Sequence, residues 1–312
     1  NGFELHTALG VMAAALLLIG CGGGGGFLGT NADASITASP NPASFGTPVT
    51  VTWKTLKGLK IESSNFGLGR NDLNGSITGN PGVTTTYQFT AEVQSEDHAP
   101  ISVTKSVTLT VPRSTKSVLI VGDAAVSGPN QVRDSLSTIT SGAVTVSAVM
   151  PTSTTAQAVV LHSSANLTTA DQAKMNALLS AGKAVIFIDD SVTKISGGNV
   201  ASIGGALAGA TGFLSSLTVG INFRTADGPT PISIPLRGQA VPLSAADSAL
   251  KTVSTSADRV IGSSLYTTAM AYKVPTGGRT AFLGHDGVGA DSGAQAYNAA
   301  LRAITRWCLD GV

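Results

Sequence analysis

Residues 158–190, AVVLHSSANLTTADQAKMNALLSAGKAVIFIDD, read as strand, helix, strand. Val159, Val160 and Leu161 form a short apolar run that stops at His162-Ser163-Ser164. Thr168 is placed to cap a helix, with Asp171 three residues on at capping-box spacing. Met175, Leu178 and Leu179 share one helical face, and Gly182 supplies a left-handed stop. Ala184 to Ile188 is a second continuous apolar strand. Strands apolar on both faces and joined by a helix imply a covered, mostly parallel sheet.

The same pattern recurs outward from this unit. Val118-Leu119-Ile120-Val121 opens the α/β region, followed by a helix from about Pro129 to Thr138 and a strand at Val144–Val149. Residues 191–215 are small and Gly-rich, with a helix expected at 200–208. From Leu217 to Val274 short β-like runs (LTVGINF, ISIPL, RVIGSSL, TTAMAYKV) extend the sheet or form an antiparallel insertion. RTAFLG at 279–284 is a last buried strand, and a helix over Ala294–Leu309 packs on the sheet. Its Tyr297, Leu301, Ile304 and Cys308 form one apolar stripe, which makes Cys308 a buried hydrophobe rather than a nucleophile.

Residues 34–111 follow a different rhythm. Val49, Val51 and Trp53 alternate with polar residues, as do Tyr87, Phe89 and Ala91, and then Val107, Leu109 and Val111. Ser35–Ser39, Leu59–Glu62 and Gly75–Thr78 are shorter strands between Gly, Pro and Asn turns, so the region reads as a β-sandwich. Pro112–Lys116 is the linker to the α/β part.

The 312 residues are 42% hydrophobic and only 12% charged, which excludes general disorder. A net charge of +1 gives no field for nucleic acid. Abundant Gly, Ser, Thr and Ala suggest an envelope or secreted protein. Ala8–Ile19 is an uncharged apolar run that suits the core of a signal peptide, followed by Leu18-Ile19-Gly20-Cys21 and five glycines. Residues 1–20 are thus the hydrophobic segment and 21–33 a flexible Gly-rich tether.

These segments carry several resemblances. LIGC resembles the lipobox of bacterial lipoproteins, which implies lipid on Cys21 and a membrane partner. Gly22 in the following position implies the outer membrane. No Lys or Arg precedes Cys21, a departure from the usual basic start. Gly2-Phe3 before an apolar run also resembles a type IV pilin start, which would imply a self-assembling filament or surface-layer subunit. Thr7 stands where pilins carry glutamate, and the glycines at 22–26 would break a pilin helix. VTVTW, TTTYQFTA and SVTLTV resemble bacterial immunoglobulin-like envelope modules, with Tyr87 in the tyrosine-corner position. Such a module is either a glycan- or protein-binding unit or a spacer.

Residues 158–189, with GGRTAFLGHD and AITRWCLDG, are similar to class I glutamine amidotransferase-like domains of the trehalose-utilisation type. The resemblance implies a flavodoxin-like, three-layer α/β domain over 117–312. Catalytic members of the family place a cysteine on a sharp turn after a strand. Here Ala184–Ile188 is followed by Asp189-Asp190-Ser191, and the His-x-Glu pair is missing. The departure argues for a scaffold without amidase chemistry, hence a binding adaptor for a protein or glycan partner.

Asp123, His162, Asp189, Asp190, His285 and Asp286 all fall at or just past the ends of apolar strands, where parallel sheets bind ligands. Such a set offers acid–base chemistry or ligands for a divalent metal, which defines an alternative: a metal-assisted hydrolase or sugar-modifying enzyme. The plainer alternative is that these side chains cap strands and bind loop backbone. Asp189 and Asp190 would point to opposite faces if the strand continued. Ser191 lacks a GxSxG context, and no nucleotide-binding signature is present, so no organic cofactor is expected. Ser127-Gly128-Pro129 ahead of a helix could receive an anion.

Overall fold

The computed structural model describes residues 34–79, 81–95, 99–196, 212–214, 223–225, 240–241, 248–251, 258–262, 266–275, 277–290 and 292–311. Asp33–Val312 is one compact unit, separate from Asn1–Ala32. The hydrophobic segment, Cys21, the tether and the helix expected at 200–208 lie outside the described residues.

The chain is β-rich and multidomain, and among the described residues the helices belong to its second part. Two three-stranded antiparallel sheets come first. One contains β1 (Ala34–Ser39), β2 (Val49–Thr55) and β4 (Asn74–Gly79), and the other β3 (Gly58–Ser64), β5 (Thr85–Gln94) and β6 (Pro100–Leu109). The period-two pattern explains their packing. Val49, Val51 and Trp53 turn inward, whereas Thr52 and Lys54 face solvent. Trp53 meets Phe66 edge-on at 5.6 Å, and Phe66 meets the ring of Tyr87 at 5.7 Å. The Trp53 indole Nε1–H donates to Asp72 O at 2.7 Å, so its polar edge is satisfied. Gly75 pairs with Trp53 across β2 and β4, and a Cβ there would lie 2.7 Å from the indole. On the outer faces, hydroxyls of Thr50 and Thr78, Thr86 and Thr108, and Thr90 and Thr104 pair across strands at 2.9–3.0 Å. The threonine-rich composition is therefore partly a cross-strand ladder.

The second part is built on β7 (Val118–Val121), α1 (Ser127–Leu136), β8 (Val144–Ser147), β9 (Ala158–Leu161), α2 (Asp171–Ser180), β10 (Ala184–Ile188) and α3 (Ser191–Ser196). It is completed by β17 (Arg279–Leu283) and α4 (Ser292–Asp310). The five strands run parallel in the order β8-β7-β9-β10-β17. Alternate residues of β7, β9 and β10 feed two cores. Ile120, Val160 and Ile186 pack with α1 and α4, while Val121, Leu161 and Phe187 pack with α2 and α3. Burial on both faces accounts for the unbroken apolar runs.

The expectation of a mostly parallel sheet needs correction. Six further strands continue it: β11 (Gly212–Leu214), β12 (Phe223–Thr225), β13 (Ala240–Val241), β14 (Ala249–Lys251), β15 (Asp258–Gly262) and β16 (Tyr266–Lys273). β16 is antiparallel to β17, and the others pair antiparallel beyond it, which gives eleven strands of mixed direction among the described residues. β16 (YTTAMAYK) is buried along its middle on both faces, as the parallel strands are, yet its partners β14, β15 and β17 all run antiparallel to it.

Local detail at the deciding helix also differs in part. Gly182 adopts φ +74°, and Gly182 N–H and Lys183 N–H close the last turn on Leu179 O and Leu178 O. At the other end α2 begins at Asp171. Thr168 does not cap it, because its N–H and hydroxyl both donate to Asp171 Oδ2, at 3.0 and 3.1 Å. The carboxylate half of the capping box forms, and the hydroxyl half does not.

Arg306 joins the two parts. It is 5% exposed, and its guanidinium lies 5.0 Å from the Phe45 ring. It donates to Pro112 O and contacts Asp310 at 2.7 Å. Ser114 Oγ–H also donates to Asp310, at 3.1 Å, and Lys116 Nζ donates to Leu309 O at 2.6 Å. Phe45 and Val83 of the sandwich pack on the core beneath α4. The segment 112–116 is accordingly pinned along the helix.

Candidate functional site at the carboxyl edge of the sheet

The order β8-β7-β9-β10-β17 changes direction between β7 and β9, and the crevice outside the carboxyl ends at such a point is where open α/β sheets take ligands. All six candidate side chains occupy this edge, but only three converge. His162 follows β9, and His285-Asp286 follow Gly284 at the end of β17. His162 Nε2 lies 3.5 Å from Asp286 Oδ2, and His285 Nδ1 lies 3.4 Å from Asp286 Oδ1. One carboxylate thus stands between two imidazoles.

Hydrogen bonds fix the tautomers. His162 Nδ1 accepts from Ser164 N–H at 3.0 Å and sits 2.9 Å from Ser164 Oγ, so the ring proton is on Nε2, facing Asp286. At 3.5 Å that contact is electrostatic rather than a full hydrogen bond, and Nε2 makes no other. The His162 side chain is 6% exposed, whereas those of Asp286 and His285 are 25% and 21% exposed, so the carboxylate and the second imidazole are the parts open to a ligand. His285 Nδ1 accepts from Gly287 N–H at 2.8 Å, and its ring stacks on Tyr297 of α4 at 5.3 Å.

Burial alone would raise the Asp286 carboxyl pKa. The facing His162 Nε2–H, the Val288 N–H at 2.9 Å, and the electrostatic pull of the His285 and His162 rings outweigh it, so the net direction is down. The folded chain therefore binds this proton less tightly than the unfolded chain. The resulting stabilisation is present above the unfolded carboxyl value, about 4, and is lost as pH falls through the folded one. Asp286→Asn should be less stable than wild type at neutral pH, and its stability should change less between about pH 5 and 3. Denaturant titrations at these pH values measure both.

The other three candidates do not join this group. Asp123 is exposed, and its carboxylate folds back to accept from Ala125 N–H at 2.9 Å. Asp190 lies 3.6 Å from Lys194 along α3. The strand ends at Ile188, so the alternation expected of Asp189 and Asp190 does not apply. Asp189 instead turns with φ +53°, the left-handed region that few non-glycine residues adopt. Its N–H donates to Leu283 O at 2.7 Å, which holds the turn against β17. Ser191 is fully buried in the first turn of α3. Among the described residues no group of three His, Cys, Asp or Glu side chains is arranged around a common point that could hold a metal ion; His162 and His285 face the Asp286 carboxylate rather than a shared ligand position.

Two residues to which the sequence pattern assigned no part in this contact complete the site. Ser164 Oγ accepts from Asp123 N–H at 3.0 Å and thereby ties the loops after β7 and β9 together. Its signal was the His-x-Ser spacing, which suits a side chain closing on backbone two residues away. Gly128, in the first turn of α1, leaves room for the imidazole: a Cβ there would be 2.7 Å from His162 Nε2 and 3.4 Å from Asp286 Oδ2. The α1 start thus lies close to the protein's own carboxylate, which works against the external anion expected at Ser127-Gly128-Pro129.

Cys308 is wholly buried, and loss of solvation pushes its thiol up to about 12, with Arg279 opposing only in part. In the folded chain it should resist thiol reagents at pH 8 and react on unfolding, a difference that mass spectrometry of alkylated protein reads directly.

No family model and no curated protein matches this chain. Among solved structures, a 2,6-sialyltransferase of Photobacterium sp. JT-ISH-224, in complex with CMP and lactose, aligns over 51% of this chain and 40% of its own, at 12% identity and a TM-score of 0.14. A likeness at that score carries no argument.

Proposed function

We propose that the chain is a non-catalytic lipoprotein of the bacterial cell envelope, held to the outer membrane by lipid on Cys21. In this reading an immunoglobulin-like sandwich carries a flavodoxin-like domain of the amidotransferase type, which acts as a binding adaptor for a protein or glycan. The parallel order supports the domain assignment: numbered from β7, the strands run 2-1-3-4-5. One observation carries the loss of catalysis. The sharp turn after β10 is present and left-handed, but it holds the carboxylate of Asp189 where the resembling enzymes hold a thiol. The one described cysteine is sealed in α4. The purified protein should release no ammonia from glutamine or simple amides. Release that disappears in Asp189→Asn would overturn the proposal.

A second reading has one observation in its favour: His162 and His285 sit against the same carboxylate at the same end of the sheet. In this reading Asp286 works as a general base beside two imidazoles, without metal. A hydrolysis screen over esters and glycosides, comparing wild type with Asp286→Asn, decides it. Equal rates for the two proteins dismiss this reading.

A further inference from the structure

Leu56, Leu59 and Ile101 are 60%, 46% and 43% exposed, although most large apolar side chains in the described residues are covered. All three belong to one end of the sandwich. Gly58 pairs with Val93 and Val93 with Ile101, which sets Ile101 two strands, about 10 Å, from the turn between β2 and β3. Gln94 N–H donates to Lys57 O at 2.9 Å, closing the same end. Exposed Lys54 and Lys57 flank Leu56. The opposite end of the sandwich, with Phe45 and Val83, is the one that meets α4.

The chain also enters the sandwich at this apolar end. Ala34 is the ladder partner of Thr55, the residue before Leu56. Residues 21–33 reach at most about 45 Å when fully extended, so a lipid on Cys21 keeps this end within that distance of a bilayer.

We propose that this tip, centred on Leu56, Leu59 and Ile101, seats on the lipid surface to which the chain is tethered. The proposal rests on the lipoprotein reading above. Exposed leucines between lysines match the chemistry of a bilayer interface: the apolar side chains enter the acyl boundary while the ammonium groups stay with the headgroups. Lys54 and Lys57 are only two charges, and neighbouring Lys60 is paired with Glu92 at 2.9 Å. Apolar contact rather than net charge therefore drives the docking, and anionic lipid is not required.

The test uses the full lipid-modified chain in phosphatidylethanolamine vesicles, with and without phosphatidylglycerol. Leu59→Cys and Val149→Cys each carry an environment-sensitive fluorophore; Val149 is 64% exposed on the α/β part, and native Cys308 is too buried to label. The label at 59 should shift to the blue and lose most of its emission to nitroxide-bearing acyl chains, in both lipid mixtures, while the label at 149 changes little. A blue shift at 59 without nitroxide quenching reports a protein contact, such as a second copy, and overturns the proposal. So does equal behaviour at the two positions. Mass spectrometry of the same sample separates the two levels. A diacylglyceryl Cys21 with an unquenched label at 59 overturns the docking and leaves the lipoprotein reading standing, whereas an unmodified Cys21 overturns both.

Discussion

Arg306→Ala should destabilise the chain by about 3 kcal/mol and uncouple its two parts, so that one unfolding transition becomes two. The guanidinium is buried between Phe45, Pro112 O and Asp310. Its removal takes away the cation over the ring, orphans a carbonyl, and leaves Asp310 to Ser114 and to Lys116 at 3.5 Å. Burial favours the neutral form of Arg306 and Asp310 opposes this, with a net downward shift in pKa that leaves an arginine charged at any ordinary pH. Lysine should not substitute, because a point charge cannot reach the carbonyl, the ring and the carboxylate together. Equilibrium denaturation in a Trp307→Phe background, followed by the fluorescence of Trp53 in the sandwich and by helix circular dichroism, tests the claim. Coincident curves in the variant would contradict it.

The second large effect belongs to Gly284→Ala, expected to cost about 4 kcal/mol. A Cβ at this position would lie 1.8 Å from Ser248 O and 3.4 Å from Thr268 O. Both are backbone atoms, so no rotamer change relieves the clash. Gly284 also donates to Thr268 O at 2.7 Å and accepts from Ser248 N–H at 3.0 Å, which pinches the end of β17 against its neighbours. His285 and Asp286 follow directly. The substitution should therefore displace the carboxylate from His162 as well as destabilise the fold, and flatten the acid dependence attributed to Asp286. A destabilised variant that keeps the wild-type acid dependence would show that the pinch does not position the site.

The parallel half of the sheet was legible because its strands are buried on both faces, and such burial leaves long apolar runs like AVIFI at 184–188. The sandwich was legible for the opposite reason, since its one-sided strands alternate cleanly around Trp53. The antiparallel half was legible in part: RVIG and TTAMAYK were marked as runs that extend the sheet or form an antiparallel insertion, whereas strands such as FRT at 223–225 span three residues and carry no period. At the site, sequence placed six ionisable residues at one edge but could not choose among them. What separates Asp286 from Asp123 is which carboxylate folds back on its own loop and which meets a histidine from another strand. Those are contacts between segments far apart in the chain, and Gly128, which makes room for one of them, carries no mark beyond its place ahead of a proline.

Helix α4 holds the loop after β17 through Tyr297 and Asn298, and grips the sandwich through Arg306 and Asp310. It is also the last described element in the order of synthesis. A nascent chain can assemble the six sandwich strands early, but neither the seam nor the crevice has its wall until residues 292–311 have left the ribosome. A growing chain would thus keep the seam and the crevice open until α4 has emerged, and close them only afterwards.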